Sequence, residues 1–292
     1  MQGGKCINTN ENPSNDTLGG VGPTVDLLKS MSTREVSRKT GLSEESLRAI
    51  RREQDIPAPP PEVRSFGIPH LLAKGRKVIL TSDWHVPYHN QALVDEVLET
   101  ALALEAIVVV AGDIIDLPAL SRFEPRDIDS SVGMELSALG DVLEPFSHYK
   151  VEVHIMRGNH ELRFFKALKH QVDILDFLKM VGVGSNIYGY EDETLVLHVG
   201  GKQWLVTHPQ DYSKIPLTIP RKLASKYGMS IASAHGHHYA YGISEGEQDL
   251  LEMGGLFDSS KLAYLNRGGA STFPHQQSGF WILGDYGEVM MP

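Results

Sequence analysis

Five short clusters hold the side chains that can do chemistry in this chain of 292 residues: Asp83-Trp84-His85, Gly112-Asp113-Ile114-Ile115-Asp116, Gly158-Asn159-His160-Glu161, His208, and His235-Gly236-His237-His238. Each is ordinary by itself. An Asp two residues from a His is common by chance, and an Asn beside a His reads as a turn with a surface imidazole. Yet each cluster stands at the end of an apolar run, and together they offer carboxylates, an amide oxygen and imidazoles. That mixture of nitrogen and oxygen donors suits Mn²⁺, Fe or Zn²⁺ and fits poorly with an all-oxygen Ca²⁺ cage. The single cysteine, Cys6, excludes an internal disulfide framework and a Cys-rich zinc module.

The elements that must position these clusters follow from hydropathy. Residues 77–81, 106–110 and 151–155 are continuous apolar runs and read as buried strands ending at the first three clusters. Helical spacing over 91–105 and 131–149 separates them, so strands alternate with helices around a central sheet. Open α/β sheets bind their ligands at such strand ends. After a helical stretch at 162–180 the pattern turns to β. Residues 194–198 and 203–207 form a hairpin around Gly200-Gly201 that ends at His208. A short helix at 221–227 and a strand at 230–234 lead to His235, and 280–283 with 289–291 make a last hairpin.

Residues 1–22 are polar, rich in Gly and Asn, and read as a flexible tail. Residues 23–56 carry three short helical patterns. Ser32 with Glu35 has capping-box spacing, and Ser43 caps the third helix, which turns Leu47 and Ile50 inward and Arg48, Arg51 and Arg52 outward. Two helices joined by a Gly-containing turn, the second bearing arginines, resemble a helix-turn-helix DNA-binding unit. Acidic and basic side chains nearly balance there, which leaves a small interaction or oligomerisation bundle as the alternative. Pro57-Ala58-Pro59-Pro60-Pro61 opens a stiff linker, residues 57–75, before a domain at 76–292.

Composition, 41% apolar and 22% charged, is that of a globular protein with a sizeable core. The net charge of −10 argues against broad binding of polyanions, though bound metals reverse that sign locally. With no signal-peptide pattern and no run long enough to span a bilayer, a cytoplasmic protein without membrane contact is expected.

The order Asp-x-His, Gly-Asp-x-x-Asp, Gly-Asn-His-Glu, a later His and a His-rich segment resembles the calcineurin-like metallophosphoesterase superfamily, over about residues 77–291. Residues 112–125 look closest to its phage- and prophage-type members. The resemblance implies an α/β fold, a β-sandwich flanked by helices, with a small all-α unit before it. It implies two divalent ions, Mn²⁺ foremost, with Fe, Zn²⁺ or Ni²⁺ as alternatives. Asp83 and His85 would bind the first ion, Asp113 would bridge, and Asn159 and His208 would bind the second. His235 would join the second ion and His237 the first. A hydroxide held by the metals would attack phosphorus, His160 would protonate the leaving oxygen, and Asp116 would orient His160.

Two positions depart from the family pattern. The usual Gly-His-x-His is read here as His235-Gly236-His237, because alternate residues of an extended segment face one way; His238 stays open as a ligand in place of either. Leu117 stands where the family's phosphoprotein phosphatases carry Arg, which disfavours a protein phosphatase and favours cleavage of phosphodiesters in nucleic acid or nucleotides, as in a nuclease. Arg157 and Arg163 are candidate phosphate contacts, Arg122 and Arg126 weaker ones. The alternatives are a phosphomonoesterase or nucleotide hydrolase acting on a small molecule, and a DNA-binding regulator with an inactive phosphoesterase domain. His70, His89, His148, His154, His170, His198 and His275 have no partner at ligand spacing, Trp84 is expected to pack, and Glu161 to cap the helix that follows it.

Overall fold

The computed structural model describes residues 21–31, 33–54, 56, 67–121, 130–261 and 276–292. The chain divides into two compact units, residues 1–62 and 63–292. The Ser32 capping box, Arg122, Arg126, His275 and the proline run lie outside the described residues.

In the first unit, α1 (Val21–Ser30), α2 (Thr33–Thr40) and α3 (Glu44–Glu53) surround Leu28, Val36, Leu47 and Ile56. Residues 21 and 22, expected in the tail, begin α1. Gly41, at φ 74°, makes the turn into α3, and the Ser43 side chain accepts the Ser46 N–H at 3.1 Å. Glu44 and Glu45 in the first turn of α3, with Arg51 and Arg52 in the last, complement its dipole. One expectation is corrected. Arg51 does not face out: it lies one helical turn beyond Leu47 and shares its buried face. Its Nε donates to Thr33 Oγ1 at 3.2 Å and its Nη2 to the Met31 carbonyl at 2.6 Å. Arg48 and Arg52 are exposed as expected, Arg48 paired with Glu44.

Among the described residues, the second unit holds twelve strands. They are β1 (His70–Leu72), β2 (Val78–Thr81), β3 (Ile107–Ala111), β4 (Val153–Met156), β5 (Ile187–Tyr190), β6 (Thr194–Val199), β7 (Lys202–Thr207), β8 (Ser230–Ser233), β9 (Tyr239–Ile243), β10 (Asp249–Met253), β11 (Trp281–Leu283) and β12 (Val289–Met290). One sheet runs β12-β11-β2-β3-β4-β5 and the other β1-β6-β7-β8-β10-β9. Strands β2 to β5 are mutually parallel, as are β7 and β8. Strand periodicity sorts the side chains into layers. Val78, Leu80 and Val109 face Leu197, Trp204, Val206 and Leu251 across the two sheets. Ile79, Val108 and Val110 face the other way, toward α4 (Gln91–Leu104) and α5 (Val132–His148). On the far side, α8 (Thr218–Tyr227) covers Val196, Leu205 and Ile231. The result is the expected sandwich of two sheets between helices.

Several elements differ from the sequence reading. The helical stretch at 162–180 is two helices, α6 (Asn159–Ala167) and α7 (Ile174–Val181), the second restarted by Asp173, which accepts the Asp176 N–H at 2.8 Å. Strand β1 forms inside the expected linker, because pairing with β6 supplies the hydrogen bonds that its three residues cannot make alone. Strands β5, β9 and β10 were not anticipated; β5 and β9 are edge strands, mostly half-buried, and lack the apolar alternation of a covered face. Among the described residues, no helix is long and apolar enough to cross a membrane.

Phe177 on α7 is fully buried, its ring edge-on to Phe164 at 5.6 Å and to Phe165 at 6.2 Å. Truncating it removes those contacts and leaves a cavity between α6 and α7. Phe177→Ala should therefore lower stability by about 3–5 kcal/mol, read as a lower urea midpoint with an unchanged slope.

Candidate metal centre

The strand ends expected to carry the clusters come together at one edge of the sandwich. Loops after β2, β3 and β4 enter from one sheet, and loops after β7 and β8 from the other. They are stitched by main-chain bonds: Asp83 N–H to the Gly112 carbonyl, His85 N–H to that of Asp113, and Asp116 N–H to that of Val86, each 3.0 Å. The packing is tight enough to require glycine twice. A Cβ on Gly112 would come within 2.6 Å of Gly158 Cα, and one on Gly158 would fall on the Asp113 carboxylate. Asn159 and His160, expected in a turn, occupy the first turn of α6.

Three sets of donor atoms lie within 4.8 Å of one another: Asp83, His85 and His237; His85, Asp113 and His160; and Asp113, His208 and His235. Asn159 Oδ1 is 3.0 Å from His208 Nε2, beside the third set. Asp83 Oδ1 lies 3.0 Å from His237 Nε2, and Asp113 Oδ2 lies 3.3 Å from His208 Nε2. The imidazoles are oriented from behind. His208 Nδ1–H donates to the Ala111 carbonyl at 2.8 Å, His85 Nδ1–H to Asp116 Oδ1 at 2.9 Å, and His237 Nδ1–H to Gln276 Oε1 at 3.0 Å. An acceptor on Nδ1 places the proton there and leaves the Nε2 lone pair for an ion. His160 differs: Nδ1 is bonded to the Asp116 carbonyl and Nε2 to Arg163 Nη2 at 2.9 Å, so both ring nitrogens are taken. His238 also turns elsewhere, its Nε2 3.1 Å from the Ser213 carbonyl and its ring stacked on Tyr212.

Five of these residues hold left-handed backbone without being glycine: Asp83 (φ 53°), His85 (52°), Asp113 (52°), His235 (69°) and His237 (54°). Such residues cost roughly 1–3 kcal/mol each and cluster at functional sites. Burial adds a second cost, since Asp83, Asp113, His85 and His208 are at most 1% exposed.

The charges show what the centre would attract. Burial opposes ionisation of Asp83, but the adjacent His237 and His208 hold it down to about 2. Burial likewise opposes Asp113, which His160, His208 and His85 keep well below the usual carboxylate range. Burial disfavours a proton on His208, yet Asp113, Asp83 and the Ala111 carbonyl push it up to about 10. The carboxylates thus hold a proton on an imidazole that would otherwise be neutral. The same pull would hold a divalent cation, and the nitrogen and oxygen donors fit one.

Three contributors were missed in the sequence. Glu161 does cap α6, accepting the Gly158 N–H at 2.7 Å, but it also accepts the amides of Asp113 (3.0 Å), Ile114 (2.9 Å) and Ile115 (3.3 Å). Its place in the Gly-Asn-His-Glu motif was the available signal. Glu135, which accepts the Leu117 amide at 2.8 Å, and Gln276, which accepts from His237, had none, standing eighteen and thirty-nine residues along the chain from those partners. Arg157 faces Glu191 and Glu193 at 3.6 and 3.4 Å. Trp84 packs as expected, donating to Thr81 Oγ1. His70, His89, His148, His154, His170 and His198 stand outside the three sets.

His208 binds its proton more tightly folded, at about 10, than at the ordinary 6.5. Its contribution to stability is whole below pH 6.5 and is lost as pH rises toward 10. The thermal stability of chelator-treated protein should therefore fall across that range. Adding Mn²⁺ should flatten the decline and release protons, measured by calorimetry in buffers of different ionisation heat.

Comparison with known proteins is consistent with this arrangement. No curated protein matches the sequence. Similar solved structures include an archaeal phosphodiesterase (12% identity, 73% of this chain and 97% of that one, TM-score 0.43). A Thermotoga maritima protein (17%, 74% and 97%, 0.37) and a single mutant of Vps29 from Entamoeba histolytica (16%, 72% and 87%, 0.36) are also similar. Residues 76–267 match the calcineurin-like phosphoesterase family over more than half of the chain, and to that family the chain belongs.

Proposed function

We propose that this phosphoester hydrolase cleaves phosphodiesters, in nucleic acid or nucleotides, with two divalent ions of which Mn²⁺ suits the donors best. Asp83, His85 and His237 would hold one ion, and Asn159, His208 and His235 the other, with Asp113 between them. Bound there, the ions would supply positive charge to offset the negative charge on the phosphoryl oxygens.

The observation that carries the diester reading is the supply of cations. Leu117 is fully buried and projects nothing toward substrate. Arg157 is matched by two carboxylates. Among the described residues, Arg163 is the one cationic side chain hydrogen-bonded to His160 or Asp116. A single guanidinium balances a diester monoanion better than a monoester near two negative charges. His160 is neutral in the free site, because burial, against the pull of Asp113 and with His85 and Arg163 near, lowers it to about 4. An arriving phosphate draws Arg163 to itself, frees Nε2 and favours a proton there for the leaving oxygen. Asp116 holds His85 through Oδ1 and His160 through its carbonyl.

For the first unit we keep the DNA-contact reading, now resting on Arg48 and Arg52. The full chain should bind duplex DNA at low ionic strength, and the double variant Arg48→Ala/Arg52→Ala should bind more weakly with a shallower salt dependence. Equal binding by both would end that reading.

Catalysis is tested with Mn²⁺ and bis-p-nitrophenyl phosphate. Turnover is expected, Asp113→Ala should abolish it, and Arg163→Ala should lower kcat/KM by about 10–100-fold. No turnover with any divalent ion, or faster turnover of p-nitrophenyl phosphate than of the diester, would overturn the proposal.

A further inference from the structure

The peptide between Asp116 and Leu117 is gripped on both sides. Its carbonyl accepts the His160 Nδ1–H, and its N–H donates to Glu135 Oε2 at 2.8 Å. The other Glu135 oxygen accepts the Ser130 hydroxyl at 2.8 Å. Glu135 sits in the first turn of α5, 0% exposed, and belongs to none of the five clusters. A carboxylate taken wholly out of water is costly unless its bonds serve a purpose, and an apolar side chain would fill the same space. Leu117 is also strained, with φ 53° and no glycine to ease it.

A trans peptide points its N–H and C=O in opposite directions. By holding the Leu117 N–H on one side, Glu135 aims the Asp116 carbonyl to the other, at the His160 ring. An amide whose N–H is bound by a carboxylate also becomes a stronger acceptor, since linked hydrogen bonds polarise one another. A carbonyl can only accept. It therefore selects the His160 tautomer with hydrogen on Nδ1 and leaves Nε2, 3.7 Å from Asp113 Oδ2, as the atom that takes or gives a proton.

We infer that Glu135 is a positioning residue for His160, acting through the Asp116–Leu117 peptide. Its kinetic consequence rests on the phosphodiesterase reading above; its structural consequence does not.

Two arms on the full chain test this. In nitrogen-15 NMR of the metal-free protein, with His160 assigned from the spectrum of His160→Ala, the wild-type ring should show a protonated Nδ1. Glu135→Ala should mix the two tautomers, whereas Glu135→Gln, which keeps an oxygen for the Leu117 amide, should retain the wild-type signal. Glu135→Asp, one methylene short, carries the same expectation as Glu135→Ala and replaces it if that variant does not fold. In the kinetic arm, Glu135→Ala should lower kcat about tenfold on methyl phenyl phosphate and less on methyl p-nitrophenyl phosphate, because acid assistance matters most for the poorer leaving group. KM should hold, and the loss should vanish in a His160→Ala background. An unchanged tautomer in folded Glu135→Ala or Glu135→Asp, or a full loss persisting without His160, would overturn the inference. Absence of all diester turnover would overturn the proposed function instead, and the NMR arm would still decide on Glu135.

Discussion

The rest of the centre depends on how the Asp113 carboxylate is held out of water. It is 1% exposed, accepts the His160 amide at 2.8 Å, and faces the imidazoles of His208 and His160. Its own amide is bound by Glu161, and its carbonyl accepts the His85 amide. A buried carboxylate survives only where polar partners surround it. Those partners follow β2, β4 and β7, so satisfying Asp113, which follows β3, draws both sheets to one point. Gly112 and Gly158 are the steric consequence, since any side chain there would occupy the space of the carboxylate or its neighbours.

Bringing so many polar groups together has costs that the surrounding fold must offset. Left-handed backbone at five non-glycine residues and buried charges both work against folding. Two fully apolar layers, one between the sheets and one beneath α4 and α5, supply the opposing burial. The strain is confined to loops whose ends are anchored in those layers, which keeps the donors in place before any ion arrives. Such preorganisation is what a Lewis-acid site requires, because donors that need no rearrangement bind an ion at less cost.

Arg163 and Leu117 set the charge beside His160. The backbone turn at Leu117 sends that side chain into the core, while the guanidinium comes from α6, one turn beyond His160. Among the described residues, Arg163 is thereby the cationic side chain lying on the proposed acid. Glu161 and Glu135 grip the loop from Asp113 to Leu117 from two different helices. Control of the loop thus rests on buried acids that take no part in the three donor sets.

Much of this was legible in the chain itself. The buried strands β2, β3 and β4 are continuous apolar runs, and each hands its residues to a cluster at its end. The donor types fit poorly with an all-oxygen calcium cage, the single cysteine excludes a Cys-rich zinc module, and the order of the clusters resembles one family. What stayed hidden has a common cause. Edge strands such as β1 and β5 are made by pairing partners and not by their own pattern. Arg51 looked exposed, but one helical turn from Leu47 it is carried to the buried face. The side chain that holds the Leu117 amide is eighteen residues further on, and the one that orients His237 is Gln276, thirty-nine residues away. Composition and local periodicity determined which chemistry was available and which strands were buried. Tertiary packing alone decided which nitrogen of each imidazole faces inward, because a tautomer is set by the acceptor behind the ring, and chain folding brings that acceptor there.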